Sequence, residues 1–253
     1  MALRSTDRRD DGPASSERPT VAAFDFDGTL TNAGSVFPFL VSVRGLIPVL
    51  RAVLRLSPAL VHAAIVGGST ADDVKEKLFT RLLAGMPAEE LNRRAAAFAQ
   101  RHLQRHLRED MRRRLDWHRS QGHYTVIVSA SPECYVSPAG SELNVDGVVA
   151  TRLATGGGGL LTGGYEGKNC RGSEKYARLI GHLRAVGPAA GPSSGQQPVL
   201  WAYGNSRGDL RLLEAADHGV DVGRLGRFGR LRRFPRLSEV TGTRATRPWD
   251  SSR

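Results

Sequence analysis

Four short apolar runs constrain this chain more than any other feature. They are Val21–Phe26, Tyr124–Ser129, Val148–Leu153 and Val199–Tyr203. Each spans five or six residues and is mostly apolar, and Val21–Phe26 and Tyr124–Ser129 have the pattern of a buried strand. From Pro132 onward helical segments alternate with them, at Pro132–Ser141, Ser173–Val186 and Ser206–Ala216, before a last short strand at Gly219–Val222. Such alternation requires crossover connections. It predicts an α/β chain with a doubly wound, mainly parallel sheet covered by helices on both faces. Ligands of such sheets bind at the carboxyl ends of the strands. A chain of 253 residues can bury enough surface to fold this way without disulfides, and only Cys134 and Cys170 are present.

The first strand and the later ones are separated by a long helical insertion. Residues 36–66 are mostly Val, Leu, Ile, Phe and Ala, interrupted by Arg44, Arg51, Arg55 and His62 at spacings of 7, 4 and 7. On one continuous helix these four share a narrow stripe. Pro38, Pro48 and Pro58 are expected to kink or break that helix. The longest segment of this insertion free of charged residues, from Leu56 to Ala71, has 16 residues, below the roughly 18 that a membrane span requires. Thr70, Asp72 and Asp73 open a helix to about Leu83. Pro87 starts another that could run from Ala88 to Ser120, with Leu91, Ala95, Phe98, Leu103, Leu107, Met111 and Leu115 inward. These segments predict an all-helical cap over 34–118, inserted between core segments 21–33 and 119–237. Residues 1–20 read as a disordered tail and 238–253 as a flexible one. Gly156–Gly164 reads as a glycine-rich hairpin and Gly187–Pro198 as a loop.

The net charge is +11, and residues 223–253 carry nine Arg against Glu239 and Asp250. Such a segment attracts polyanions. Within it, Gly223–Leu237 places Leu225, Phe228, Leu231 and Phe234 among six Arg, a membrane-surface pattern weakened by Gly226, Gly229 and Pro235. Aromatic residues are sparse and no nucleic-acid recognition motif occurs, so a nucleic-acid partner is not expected. No secretory or twin-arginine signal fits residues 1–20. The reading is a cytoplasmic protein with peripheral contact to an anionic membrane. Only four of the 36 basic residues are Lys, namely Lys75, Lys77, Lys168 and Lys175. Chemistry that needs a lysine therefore has four candidates.

Polar clusters stand where strands end or helices begin. They are Asp25-Phe26-Asp27-Gly28-Thr29-Leu30, Ser129-Ala130-Ser131, Lys175, and Gly204-Asn205-Ser206-Arg207-Gly208-Asp209. Parallel strands bring these ends to one edge. Carboxylates, a hydroxyl, an ammonium and an Asn/Asp pair in one crevice can hold a divalent cation and a phosphoryl group. Lys175, at the start of a helix, is preferred over Lys168 in the preceding Gly-rich loop.

FDFDGTLT at 24–31 resembles the first motif of the haloacid dehalogenase superfamily. VSASPE at 128–133, GKNCRGSEK at 167–175 and YGNSRGDLRLL at 203–213 resemble its later motifs, in order. The form is most similar to the phosphoserine-phosphatase-like branch, whose members carry a helical cap between the first two motifs. The resemblance implies a Rossmann-like core and an Mg²⁺-dependent phosphomonoester hydrolase working through a phosphoaspartate. Asp25 would be the nucleophile and Asp27 the acid and base. Ser129, the Ala130 amide and Lys175 would bind the phosphoryl oxygens. Asp25, Asp27, Asn205 and Asp209 would hold Mg²⁺. Asn205 departs from the pattern, since the family usually has an acid there. A catalytically weak phosphate- or anion-binding module is therefore an alternative. A phosphoserine substrate is another, but Thr31–Val43 contains no acid to meet its ammonium. The apolar, Arg-striped cap instead suits a lipid-linked or other small phosphate.

Overall fold

In a computed structural model, residues 18–66, 69–187, 197–223, 231 and 233–240 are described. Most of the expected tails, most of the Gly187–Pro198 loop and most of the basic segment lie outside the described residues. In chain order the elements are β1 (Thr20–Phe24), α1 (Val36–Arg44), α2 (Leu46–Val66), α3 (Ser69–Leu83), α4 (Ala88–His106), α5 (Glu109–Ser120), β2 (Tyr124–Pro132) and α6 (Glu133–Glu142). They continue with β3 (Gly147–Thr151), β4 (Leu153–Thr155), β5 (Leu161–Tyr165), α7 (Ser173–Val186), β6 (Val199–Gly204), α8 (Leu210–Ala215) and β7 (His218–Asp221).

Five parallel strands form one sheet in the order β3-β2-β1-β6-β7. The chain winds outward from β1 to β3 and then returns to the other side of β1. The order therefore reverses between β1 and β6, where a doubly wound sheet opens a crevice at its carboxyl edge. β1 is apolar throughout Val21–Phe24 because both its faces are covered. Ala22, Phe24, Ile127, Tyr203 and Val220 pack with Met111 and Leu115 of α5 and Tyr135, Val136 and Ala139 of α6. Val21, Ala23, Val126, Val128, Leu200 and Ala202 pack with Leu179 of α7 and Leu212 and Leu213 of α8.

The helical insertion differs from the sequence reading at three points. First, the break in 36–66 falls at Gly45, whose φ is 82°, rather than at a proline. Pro38 and Pro48 sit in the first turns of α1 and α2, where no intrahelical N–H is required, and Pro58 lies within α2. Second, Arg44 is therefore on a different helix from Arg51 and Arg55, and it donates to the Leu82 carbonyl instead of joining a stripe. Third, the expected helix over 88–120 is two. Leu107 is extended (φ −60°, ψ 130°), and α5 turns away to pack on the sheet. The periodicity does continue through Leu103, Leu107, Met111 and Leu115. The break coincides with two backbone hydrogen bonds to the loop after β1: Asn32 N–H to the His106 carbonyl (2.8 Å) and Arg108 N–H to the Leu30 carbonyl (2.9 Å).

α5 is held to the sheet by Arg114. Its buried guanidinium lies 4.1 Å from the Trp117 ring and 4.8 Å from that of Trp201, and Nε donates to the Tyr203 hydroxyl (2.5 Å). The expected glycine-rich hairpin is β4–β5, an antiparallel pair packed on α3. Gly163 (φ 82°) permits the contact, since a Cβ there would lie 2.3 Å from the Thr80 Cα. Among the described residues no helix is long and apolar enough to cross a membrane.

Candidate active site

The polar clusters meet at the carboxyl edge of the sheet, beside the β1–β6 switch point. Asp25 follows β1 directly, its N–H bonded to the Tyr203 carbonyl (3.0 Å). Its carboxylate accepts from Lys175 Nζ through Oδ1 (2.6 Å) and from Thr29 Oγ1 through Oδ2 (3.1 Å). Lys175 lies in the first turn of α7 and is almost fully buried. It also donates to Asp209 Oδ1 (2.5 Å), so one ammonium serves two carboxylates. Lys168 is 80% exposed and paired to Glu174, away from this cluster.

One positive charge between two buried carboxylates leaves a negative excess. Burial and the charge of Asp209 push Asp25 up to about 7 against the pull of Lys175. Asp209 is itself held below the ordinary carboxylate range. Burial opposes that, but Lys175 and the Ser206 donors outweigh it. Its Oδ2 accepts from Ser206 N (2.9 Å), Ser206 Oγ (2.7 Å) and Asn205 N (3.2 Å). Both Asp209 oxygens are thus engaged, one by Lys175 and the other by the turn after β6. Gly204 allows that turn, since a Cβ there would meet the Asp209 Cβ at 2.5 Å.

Asp27 is held through one oxygen. Its Oδ2 accepts from Ser131 Oγ (2.6 Å) and Ser35 Oγ (2.8 Å), and Ser35 is backed by the Tyr135 hydroxyl (2.8 Å). Its Oδ1 is buried with no hydrogen-bond partner. Burial raises the Asp27 pKa, and the two serine donors oppose the rise. Ser129 is buried, its Oγ accepting from Ser131 N–H (3.1 Å). The Ala130 carbonyl accepts from Thr151 Oγ1 (2.8 Å) and Lys75 Nζ (2.6 Å).

Asn205 faces the loop after β1. Gly28 (φ 79°) is required there, because a Cβ would fall 1.9 Å from Asn205 Nδ2. Asn205 Oδ1 is buried without a hydrogen-bond partner. An unsatisfied amide oxygen beside an excess of negative charge is the donor chemistry of a hard-cation site. Among the described residues no cluster of three His, Cys, Asp or Glu forms a metal site, so amide and carbonyl oxygens are needed beside Asp25.

Several site residues were not singled out from sequence. Ser35 and Tyr135 carried no local signal, although Ser131 lay within the VSASPE motif. Arg108 is buried at the helix break. Its Nη1 donates to the carbonyls of Gly28 (3.0 Å) and Val222 (2.7 Å), and Asp110 holds its other side. It therefore braces the loop that carries Asp25 and Asp27.

A parallel sheet with two acids after its central strand and a lysine across from them defines a hydrolase of the haloacid dehalogenase type. The family model described as haloacid dehalogenase-like hydrolase matches residues 22–214, and this chain belongs to that family. It is 35% identical over 200 residues to Protein CicA of Caulobacter vibrioides, covering 79% of this chain and 84% of that one. It is 26% identical over 204 residues to the histidinol-phosphatase of Neisseria meningitidis serogroup C, covering 80% and 89%. Among solved structures, a Bordetella pertussis protein superposes with a TM-score of 0.66 at 21% identity, over 81% and 90% of the two chains. A phosphoserine phosphatase captured as a phospho-aspartyl intermediate analogue superposes with a TM-score of 0.56 at 18% identity, over 81% and 87%. The fold is therefore that of the phosphoserine-phosphatase-like branch.

Proposed function

We propose that this chain is an Mg²⁺-dependent phosphomonoesterase acting through a phosphoaspartate on Asp25. The observation that carries the reading is the division of labour between the two acids. Asp25 keeps an oxygen bound only by Thr29, while Asp27 is clamped through Oδ2 with Oδ1 left over. The Asp25 carboxylate attacks phosphorus and the ester P–O bond breaks. Asp27, protonated on Oδ1, gives its proton to the leaving oxygen. Asp27 then takes a proton from water, which attacks the phosphoaspartate and releases inorganic phosphate. Ser129, the Ala130 amide and Lys175 meet the phosphoryl oxygens.

Asp25, the Asp27 main-chain carbonyl and Asn205 Oδ1 would hold Mg²⁺, with Asp209 acting only behind them through Lys175. When bound, the ion supplies neutralising charge for the phosphoryl group. We assign α1–α4 to the cap and α5 to the core, which moves the cap boundary from 118 to about 106. Purified protein with phenyl phosphate and Mg²⁺ should release phosphate, and Asp25→Asn should abolish the release. Activity surviving that change would sink the mechanism. If wild type and Asn205→Asp are both folded and inactive across a broad phosphate panel, the anion-binding reading replaces it.

A lipid-linked substrate is the reading of substrate class favoured by the surface of α2. Leu46, Ile47, Leu50 and Leu54 are 52%, 62%, 42% and 70% exposed, with Arg51 and Arg55 exposed among them. No acid occurs between Asp27 and Asp72. The same absence removes an ammonium partner for phosphoserine. Apolar side chains flanked by cations suit the surface of an anionic bilayer, where each cation contributes about 1 kcal/mol. The protein should co-sediment with phosphatidylglycerol-containing vesicles at low salt. Leu50→Ser with Leu54→Ser should weaken this without changing turnover of phenyl phosphate. No co-sedimentation of wild type would leave soluble small-molecule phosphates as the substrate class.

A further inference from the structure

Lys75 enters the site from the cap. It lies on the second turn of α3, and its Nζ donates to the Ala130 carbonyl (2.6 Å) and to Asn169 Oδ1 (3.3 Å). Both acceptors are neutral. Among the described residues no carboxylate lies within ion-pair distance of this ammonium. Asp72, one turn away, is instead engaged by Asn169 Nδ2 (2.7 Å) and lies 3.7 Å from Arg171. Lys175 is the opposite case, lying between Asp25 and Asp209. The two lysines titrate accordingly. Burial pulls Lys75 down to about 8, although Asp72 and Asp27 oppose it. At Lys175 the paired carboxylates outweigh burial and the pKa rises.

A largely desolvated ammonium without a paired anion costs free energy that a ligand anion can offset. The residue type points the same way. In a chain with 32 Arg, counted as 36 basic residues less four Lys, two of the four lysines bond residues of the polar clusters, Lys175 at Asp25 and Lys75 at Ala130. Lys77 and Lys168 are exposed. An ammonium is a compact point charge on a flexible stem, which suits it to meet a ligand anion beside the Ala130 carbonyl. The phosphoryl group already has Lys175 on the core side, whereas Lys75 comes from the cap, on the side where the rest of the substrate must lie.

We propose that Lys75 is a specificity-determining residue, binding a second anionic group carried on the leaving group of the phosphomonoester. This rests on the phosphatase reading of the site and deepens it: the preferred substrates are phosphomonoesters with a nearby carboxylate, phosphodiester or second phosphate.

The test separates binding from turnover. Calorimetry on the full-length Asp25→Asn protein with Mg²⁺ would compare phenyl phosphate with 3-carboxyphenyl phosphate. The carboxylated ester should bind about tenfold tighter, one charge-assisted contact's worth. Adding Lys75→Gln, which keeps a donor for the Ala130 carbonyl, should erase that preference and leave phenyl phosphate binding unchanged. Lys75→Arg should retain part of the preference. Equal binding of the two esters to the Asp25→Asn protein would overturn the proposal. So would an equal loss for both esters on Lys75→Gln, which would assign Lys75 to the phosphoryl group or to packing. Turnover of phenyl phosphate by the wild type is read separately, so failure of the phosphatase reading is distinguishable from failure of this one.

Discussion

Replacing Gly28 by Ala should weaken the cation site without destroying the fold. Gly28 has φ 79°, and its added Cβ would lie 1.9 Å from Asn205 Nδ2 and 3.0 Å from Asn205 Cγ. Carbon contacts settle near about 3.5–4 Å, so the Asn205 amide must retreat by roughly 1.5 Å or rotate. The two costs fall on different observables. A left-handed backbone at a non-glycine residue costs about 1–2 kcal/mol, which appears in the urea midpoint. Displacing Asn205 Oδ1 removes an oxygen from the cation, and perturbing the residues that orient a ligand costs about 10–100-fold in metal affinity. Phosphate release titrated with Mg²⁺ should therefore show half-saturation at least about tenfold higher for Gly28→Ala. Asn205→Asp should shift it the opposite way by adding a charge. If Gly28→Ala is folded and active with an unchanged Mg²⁺ requirement, Asn205 does not face the cation and the metal assignment is wrong.

Two further outcomes follow from the same geometry. Ser131→Ala removes one of the two hydroxyls that stabilise ionised Asp27 against burial. A hydrogen bond to a charged group contributes about 1.5–3 kcal/mol, so losing it should raise the Asp27 pKa further. Because Asp27 must be protonated when the ester bond breaks, the alkaline limb of kcat/KM for an alkyl phosphate should move to higher pH. A fall in rate with the limb unmoved would limit Ser131 to packing. Lys175→Met leaves Asp25 and Asp209 buried with no cation between them, a change that costs about 3–5 kcal/mol. Both carboxyls would then have folded pKa values above their unfolded ones. The destabilisation should be largest above neutral pH and shrink as acid protonates them, read by urea denaturation from pH 8 to pH 5. A pH-independent loss would contradict the charge argument.

The fold was legible in the sequence where local chemistry and tertiary position agree. Apolar runs ending in polar clusters were enough to place Asp25, Ser129 and Asn205 at one sheet edge, because a parallel sheet allows nothing else. The start of α7 at Ser173 likewise put Lys175, rather than Lys168, inside. What escaped was decided by partners far away in the chain. The apolar period through Leu103, Leu107 and Met111 is unbroken, yet the helix stops where Asn32 N–H donates to the His106 carbonyl and Arg108 N–H to the Leu30 carbonyl. That Asp209 holds Lys175 through one oxygen and Ser206 through the other had no local signal either. Ser35 and Lys75 meet the site only because the cap folds onto it. The scarcity of lysine was the one signal that could have drawn attention to Lys75.

The central claim is that a phosphoryl group passes through Asp25, and it is tested most directly by trapping that group. Wild-type protein mixed with radiolabelled aryl phosphate and Mg²⁺, then quenched in acid within the first turnover, should carry label on the peptide containing Asp25. The label should be lost at alkaline pH, as an acyl phosphate is. Asp27→Asn should accumulate more of it with a good leaving group, because the water that clears it lacks its base, and Asp25→Asn should carry none. Turnover without a labelled peptide, or label that persists in Asp25→Asn, would contradict the account.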